Sequence, residues 1–285
     1  MLALLVLFVL LSQVPITGMV GGCEVDGQQW RIEVTGEQLR AAPHWTTEGP
    51  VPLQPDGAVR SAKQILPVMV SQVENWQVEN VELVRAGGSY FYEVHFAEVS
   101  PRPGMRDRQA AEVAVLLDGT GITPTRGRGR FEVPETPRPR DPSIGDVPAD
   151  VGRPDRREPT SAEEVNPVRV PAWSARFTGV DGRQWEAVAT AEQIAATPHW
   201  TTDDPVPLPP DGAVRSAERL FPVVGMQLGH WSVDTVSLGR FADQSWVYFV
   251  GYMETSLSPG MSHLRQAQFL VLLDGTGITP RLRHD

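Results

Sequence analysis

The chain has 285 residues, with 25 basic and 35 acidic side chains, six histidines and one cysteine. At roughly 100–200 residues per domain the length allows one or two globular units, and 41% apolar with 21% charged residues does not fit a highly charged disordered chain. A net charge of −10 argues against an electrostatic grip on nucleic acid or anionic lipid. A lone cysteine allows no intramolecular disulfide, and no Cys/His cluster offers a zinc site.

Residues 2–11, LALLVLFVLL, are an unbroken apolar run ended by Ser12 and Gln13. That is the length of a signal-peptide core and about half of what a membrane-spanning helix needs. Val20-Gly21-Gly22-Cys23 follows, and it resembles a bacterial lipobox, in which small residues precede a cysteine that is acylated and becomes the new N-terminus. The expectation is a signal peptide over 1–22, with Cys23 lipidated. Ordinary cleavage beside Gly21-Gly22 is the alternative, and Met1-Leu2-Ala3 carries no basic residue.

The dominant feature is a tandem duplication. From Glu24 to Arg85, 34 of 62 positions match the residue 155 further on, and after one extra residue the offset becomes 156. Leu116 to Pro124 then recurs unchanged as Leu272 to Pro280. A repeat of about 100 residues is a whole domain, because solenoid units run to only about 20–50. The expected units are residues 23–124 and 173–285. Between them, 125–172 holds nine prolines, nine acids and nine arginines, the composition of a disordered tether. The tether is neutral and the acidity belongs to the two repeats.

Each copy opens with Asp-Gly-x-Gln-Trp, a turn into a short strand at Trp30–Val34 and Trp185–Ala189. Thr35 and Thr190 are placed to cap one or two helical turns. Pro-His-Trp-Thr-Thr and an extended Pro-Val-Pro-Leu arm follow. A main helix is expected from Ser61 and Ser216, with Pro67 and Pro222 kinking it or setting a second short one. Three strand patterns come next: Trp76 to Leu83 with one break in the alternation, Tyr90 to Phe96, and Val113 to Leu117, each with its twin. Helix followed by three short-connected strands gives an α+β unit, an antiparallel meander with one face covered by the helix.

The helix from Ser61-Ala62, Trp76-x-Val78, Tyr90-Phe91-Tyr92-x-Val94-x-Phe96 and Val115-Leu116-Leu117-Asp118-Gly119-Thr120 together resemble a PepSY-like unit. Such units also occur in tandem in exported proteins similar to beta-lactamase-inhibitory protein. The resemblance covers about 65 residues of each copy. It implies an envelope protein that binds or inhibits other proteins, with no catalytic residues.

Among candidate site residues, His44 and His199 occupy duplicate positions beside Trp45 and Trp200. The tryptophan reads as a core plug and the histidine as a cap on the short helix, ahead of a catalytic pair. His95, His230 and His263 lack histidine twins, which argues against a metal site shared by both copies. Asp118 and Asp274, in Asp-Gly-Thr-Gly loops, read as turn residues rather than phosphate-binding or aspartyl-nucleophile groups. On the sheet face away from the helix, copy one offers Phe91, Glu93 and His95, and copy two Val247, Phe249 and Gly251. The first copy's set reads as a mixed solvated face and the second copy's as apolar. Phe91, Val247 and Phe249 are the candidate partner surface, and packing of that face on the other domain or the N-terminal strand is the reading preferred over it.

The expectation is therefore a non-catalytic protein of the bacterial cell envelope, facing the periplasm and held to the membrane through Cys23. Its partner would be a protein or peptide, without cofactor, metal or nucleic acid. A hydrolase using His44/His199 or Asp118/Asp274, and a structural envelope spacer, are the alternatives.

Overall fold

A computed structural model describes residues 17–99, 108–127, 173–178, 182–240, 245–255 and 265–283. The fold is α+β and its sheets are antiparallel. In the first repeat β1 (Thr17–Val25) and β2 (Gln28–Thr35) form a hairpin. Asp26 and Gly27 both take positive φ, 53° and 71°, as a tight two-residue hairpin turn requires. A short helix α1 (Gly36–Ala41) follows, and the main helix α2 (Pro55–Ile65) runs into one 3₁₀ turn, Leu66–Val68. Then come β3 (Trp76–Ala86), β4 (Ser89–Glu98), β5 (Ala110–Leu116) and a two-residue strand β6 (Thr125–Arg126) paired with β2. The second repeat repeats the order: β7 (Trp173–Thr178), β8 (Gln184–Ala189), α3 (Ala191–Ala195), α4 (Pro210–Glu218), β9 (Trp231–Arg240), β10 (Trp246–Glu254), β11 (Gln266–Leu272) and β12 (Arg281–Leu282).

Local rules account for much of this. Thr35 and Thr190 each accept a bond from the amide three residues on, while Gln38 and Gln193 reach back to the cap backbone, a complete capping box in both copies. The main helices begin six residues before Ser61 and Ser216, with Pro55 and Pro210 in the first turn. The Pro-Asp-Gly run suggests a turn, yet proline suits a helix start. Asp56 and Asp211 then pair with Arg60 and Arg215 at 2.7 and 2.8 Å, one turn further on. Gly57 belongs inside the helix because a Cβ there would lie 2.7 Å from Leu53 Cδ1. The broken alternation in β3 and β9 is a bulge at Glu79 and at its twin Asp234.

The two meanders form one sheet. Strands run β11-β10-β9-β3-β4-β5, joined by antiparallel pairing of β3 with β9. The seam runs from Asn80↔Gly239 to Val84↔Thr235 and centres on Glu82↔Ser237, which are duplicate positions. A pseudo-dyad therefore passes through that pair. It also relates Arg85 Nη1–Ser232 Oγ (2.8 Å) to Arg240 Nη1–Gln77 Oε1 (2.6 Å).

The helices cover one face of the sheet, where Ala58, Ala62 and Leu66 share a buried cluster with Leu83, Tyr92, Val94 and Val113. The N-terminal hairpin and short helix of each repeat cover the opposite face. Ile32, Val34 and Leu39 pack there with Phe91, Ala114 and Leu116, and Ala187, Ala189 and Ile194 with Val247, Leu270 and Leu272. The expected linker lies outside the described residues except for 125–127. Among the described residues no helix is long and apolar enough to cross a membrane.

Candidate functional site

Several sequence-predicted site residues are structural. Phe91 and Val247 are buried at 1% and 0% exposure and Phe249 is half-buried, so the candidate partner surface is internal. The correction has a simple cause: β1 and β7 complete hairpins that fold back over that face. Trp45 and Trp200 are buried as expected, each with its Nε1 donating to a carbonyl four residues on, Gly49 or Asp204, and each edge-on to an aromatic of the sheet, Tyr90 or Trp246. His44 and His199 are exposed. His44 does not cap α1; its Nδ1 lies 3.4 Å from Ser89 Oγ. Asp118 and Asp274 are exposed in turns, where Oδ1 of each accepts the amide of Thr120 or Thr276 at 2.8 Å. Gly119 and Gly275 supply the positive φ. Cys23 is half-buried within β1 opposite Trp30, and burial raises its thiol pKa, which disfavours the reactive thiolate.

The chemistry of the molecule gathers beneath the first hairpin. Alternation puts Glu82 of β3, Glu93 and His95 of β4 and Glu112 of β5 on the covered face, and register sets Glu82 opposite Glu93 and His95 opposite Glu112. His95 Nε2 lies 3.9 Å from Glu82 Oε2 and 4.0 Å from Glu93 Oε2. Gly21 of β1 rides directly on the Glu112 carboxylate, and any Cβ there would collide with it. Glu112 Oε1 and His95 Nε2 are both buried without a hydrogen-bond partner.

Charge is poorly accommodated in this place. Burial, reinforced by Glu112 and Glu82, pushes the Glu93 carboxyl up to about 8. Burial and then Glu82 push Glu112 to about 7. Glu82 is raised by burial and by Asp234, against the bond it shares with Asn80. Burial lowers His95, so its approaches to the two carboxylates are those of a neutral ring rather than ion pairs. Among the described residues no Arg or Lys pairs with any of the four.

A cavity of about 530 Å³ opens beside this cluster, lined by Cys23, Glu24, Asp26, His95, Arg108 and Glu112 among others. A twin of about 570 Å³ lies at the equivalent place in the second repeat, with Phe177, Thr178, Gly251, Arg265 and Gln268 in its wall. There Glu82, Glu93, His95 and Glu112 are replaced by Ser237, Phe249, Gly251 and Gln268. The frame is duplicated and the lining is not.

The sequence reading placed Glu93 and His95 on a solvated face and passed over Glu82 and Glu112. A signal was present, since acids at alternate strand positions faced neutral residues in the other copy. Comparison with protein-family models, curated proteins and solved structures finds no match to this chain.

Proposed function

We propose that the chain is an exported, non-catalytic binding protein of the cell envelope whose first repeat holds the ligand. Divergence inside the duplicated frame carries this reading. Three half-buried carboxylates side by side, without a counter-cation among the described residues, cost folding stability. The second repeat builds the same frame with neutral residues, so folding does not require the acids. Export rests on the apolar run 2–11, and the PepSY-like pattern supports a binding role.

The hairpin bears on how export ends. Cleavage before Cys23 would remove Thr17–Gly22, most of β1, whereas the second repeat keeps its whole equivalent in β7. We therefore place maturation upstream of β1, with lipidation of Cys23 as the competing outcome. Intact mass of the mature protein decides: a chain beginning at an acylated Cys23 overturns the upstream cut.

Ligand binding is tested by thermal shift. The small-molecule fraction of envelope extract is expected to raise Tm of the wild-type protein. It should leave unmoved a variant carrying Ser, Phe, Gly and Gln at positions 82, 93, 95 and 112. Equal shifts in both proteins, or none in either, defeat the reading. A structural envelope spacer is the second reading, favoured by the cover on both faces of the six-stranded sheet.

A further inference from the structure

We infer that Glu82, Glu93 and His95 form a binding site for one divalent first-row transition cation, with Glu112 beside it as a supporting group. The inference rests on the binding role proposed above and names its ligand class. Candidate donor atoms of Glu82, Glu93 and His95 all lie within 4.8 Å of one another. Two bonds of about 2.0–2.2 Å to a shared ion span at most about 4.4 Å. The observed separations of 3.9 and 4.0 Å fall within that span but exceed the roughly 3.4 Å of a tetrahedral site, so the side chains would close by about half an ångström on an ion. They are too long for hydrogen bonds between the groups themselves.

Two further observations are independent of the acidic character of the site. His95 Nε2 itself is buried and unpartnered on a ring that is one-third exposed, although buried imidazole nitrogens are normally satisfied. Glu112 Oε1 is buried and unpartnered on the directly opposing residue, held under a glycine where any side chain would displace it. All four groups project from three adjacent strands of a rigid sheet, which fixes donor positions better than loops do. The cavity beside them carries Glu24 and Asp26 at the hairpin end together with Arg108, whose guanidinium is engaged by Glu79 at 3.0 Å and by the Glu98 carbonyl.

The donor set selects the ion class. One imidazole with carboxylates suits Zn²⁺, Mn²⁺ or Fe²⁺, whereas calcium takes six to eight oxygens and copper(I) wants sulfur. The Cys23 thiol borders the cavity but is held protonated by its burial. The ion would supply positive charge to carboxylates with which, among the described residues, no Arg or Lys pairs; Arg108, in the cavity wall, is taken up by Glu79 at 3.0 Å.

The test is a titration of chelator-treated mature protein with Zn²⁺ alone, and separately with Mn²⁺ alone, followed by equilibrium dialysis and elemental analysis. Close to one equivalent of one of these ions is expected. Co²⁺ should give visible d–d bands that are lost when His95 is replaced. His95→Gly, the residue of the twin repeat, should abolish uptake, and Glu112→Gln should weaken it by about 10–100-fold. Glu82→Gln preserves shape and serves if the glycine variant unfolds; it too should lose the ion. Asp274→Asn, in a distant exposed turn, should bind as the wild type does. Uptake well below one equivalent, or uptake unchanged in both His95→Gly and Glu82→Gln, overturns the inference. If uptake fails while envelope extract still raises Tm, the cation inference alone falls; if both fail, the binding role falls with it.

Discussion

Beneath the first hairpin the sheet presents three carboxylates and an imidazole; beneath the second, the same places hold Ser237, Phe249, Gly251 and Gln268. The helix sides of the two repeats diverge far less. Tyr92 and Tyr248 donate to the carbonyls of Leu53 and Leu208 at 2.9 and 2.8 Å, and both main helices keep the Asp–Arg pair in the first turn. The covered faces even exchange volume: Ile32 and Val34 stand over Ala114, while Ala187 and Ala189 stand over Leu270. Part of the filling moves from hairpin to sheet. One side of the fold is a shared scaffold. The other tolerates replacement, and there the repeats acquired different chemistry.

The harshest way to break that comparison is to attack the shared side. Leu83 and Leu238 are fully buried twins beside the seam. Leu83→Ala and Leu238→Ala should each cost about 2–5 kcal/mol by cavity formation. Because one sheet joins the repeats, each variant should unfold in a single urea transition. Two transitions, with only one displaced, would show that the repeats fold separately.

Next in size is Gly21→Ala, expected to destabilise by about 1–3 kcal/mol because the new methyl meets the Glu112 carboxylate. Adding Glu112→Ala should recover most of the loss, since the second repeat already places Ala175 in the equivalent register position. A double variant no more stable than Gly21→Ala alone would locate the strain elsewhere.

Protonation separates the repeats more gently. Burial pushes the Glu93 and Glu112 carboxyls up to about 8 and about 7, above their ordinary value of 4.5. A carboxyl with a raised folded pKa contributes stability that is complete below the unfolded value and is lost as pH rises through the folded one. Stability should therefore decline from about pH 4.5 to about pH 8, by on the order of 1–2 kcal/mol once partial exposure is discounted. Glu93→Phe should flatten that slope in chemical denaturation measured across the range. An unchanged slope would show that the decline arises outside the cluster.

The smallest effect sharpens the likeness. Thr35→Ala and Thr190→Ala each remove a complete capping box and should cost about 1 kcal/mol apiece. Markedly unequal costs, read from the same denaturation curves, would mean that α1 and α3 are held differently by their surroundings.

Features governed by near neighbours in sequence were readable before the structure. The threonine caps, the Asp-Gly turns, the three-strand meander and its bulge all follow from spacing and turn chemistry. The first strand did not. Thr17–Val25 is rich in glycine and follows an apolar leader, so it reads as a processing site. Its twin alternates cleanly as Trp173-Ser-Ala-Arg-Phe-Thr, which was the available clue. Cover by the N-terminal strand or the other domain is the preferred sequence reading of that face, but without β1 and β7 the full hairpin over it is not legible. Phe91 and Val247 can then still be offered as a surface, and Glu93 and His95 read as solvated. The pairing of β3 with β9 joins residues more than 150 apart in sequence, and no local pattern encodes it.

The pseudo-dyad also limits which assemblies could ever have been built from these parts. In a twofold dimer of identical repeats, the residue on the axis must face its own copy. Two copies of the second repeat would set serine against serine, a tolerable meeting. Two copies of the first would set Glu82 against Glu82 at the middle of a sheet, beside the acids of both copies, and like charges directly opposite destabilise strand pairing. The acidic half thus needs a neutral sibling across the seam. Tandem duplication in a single chain supplies that sibling at fixed one-to-one stoichiometry, which separate subunits could not guarantee.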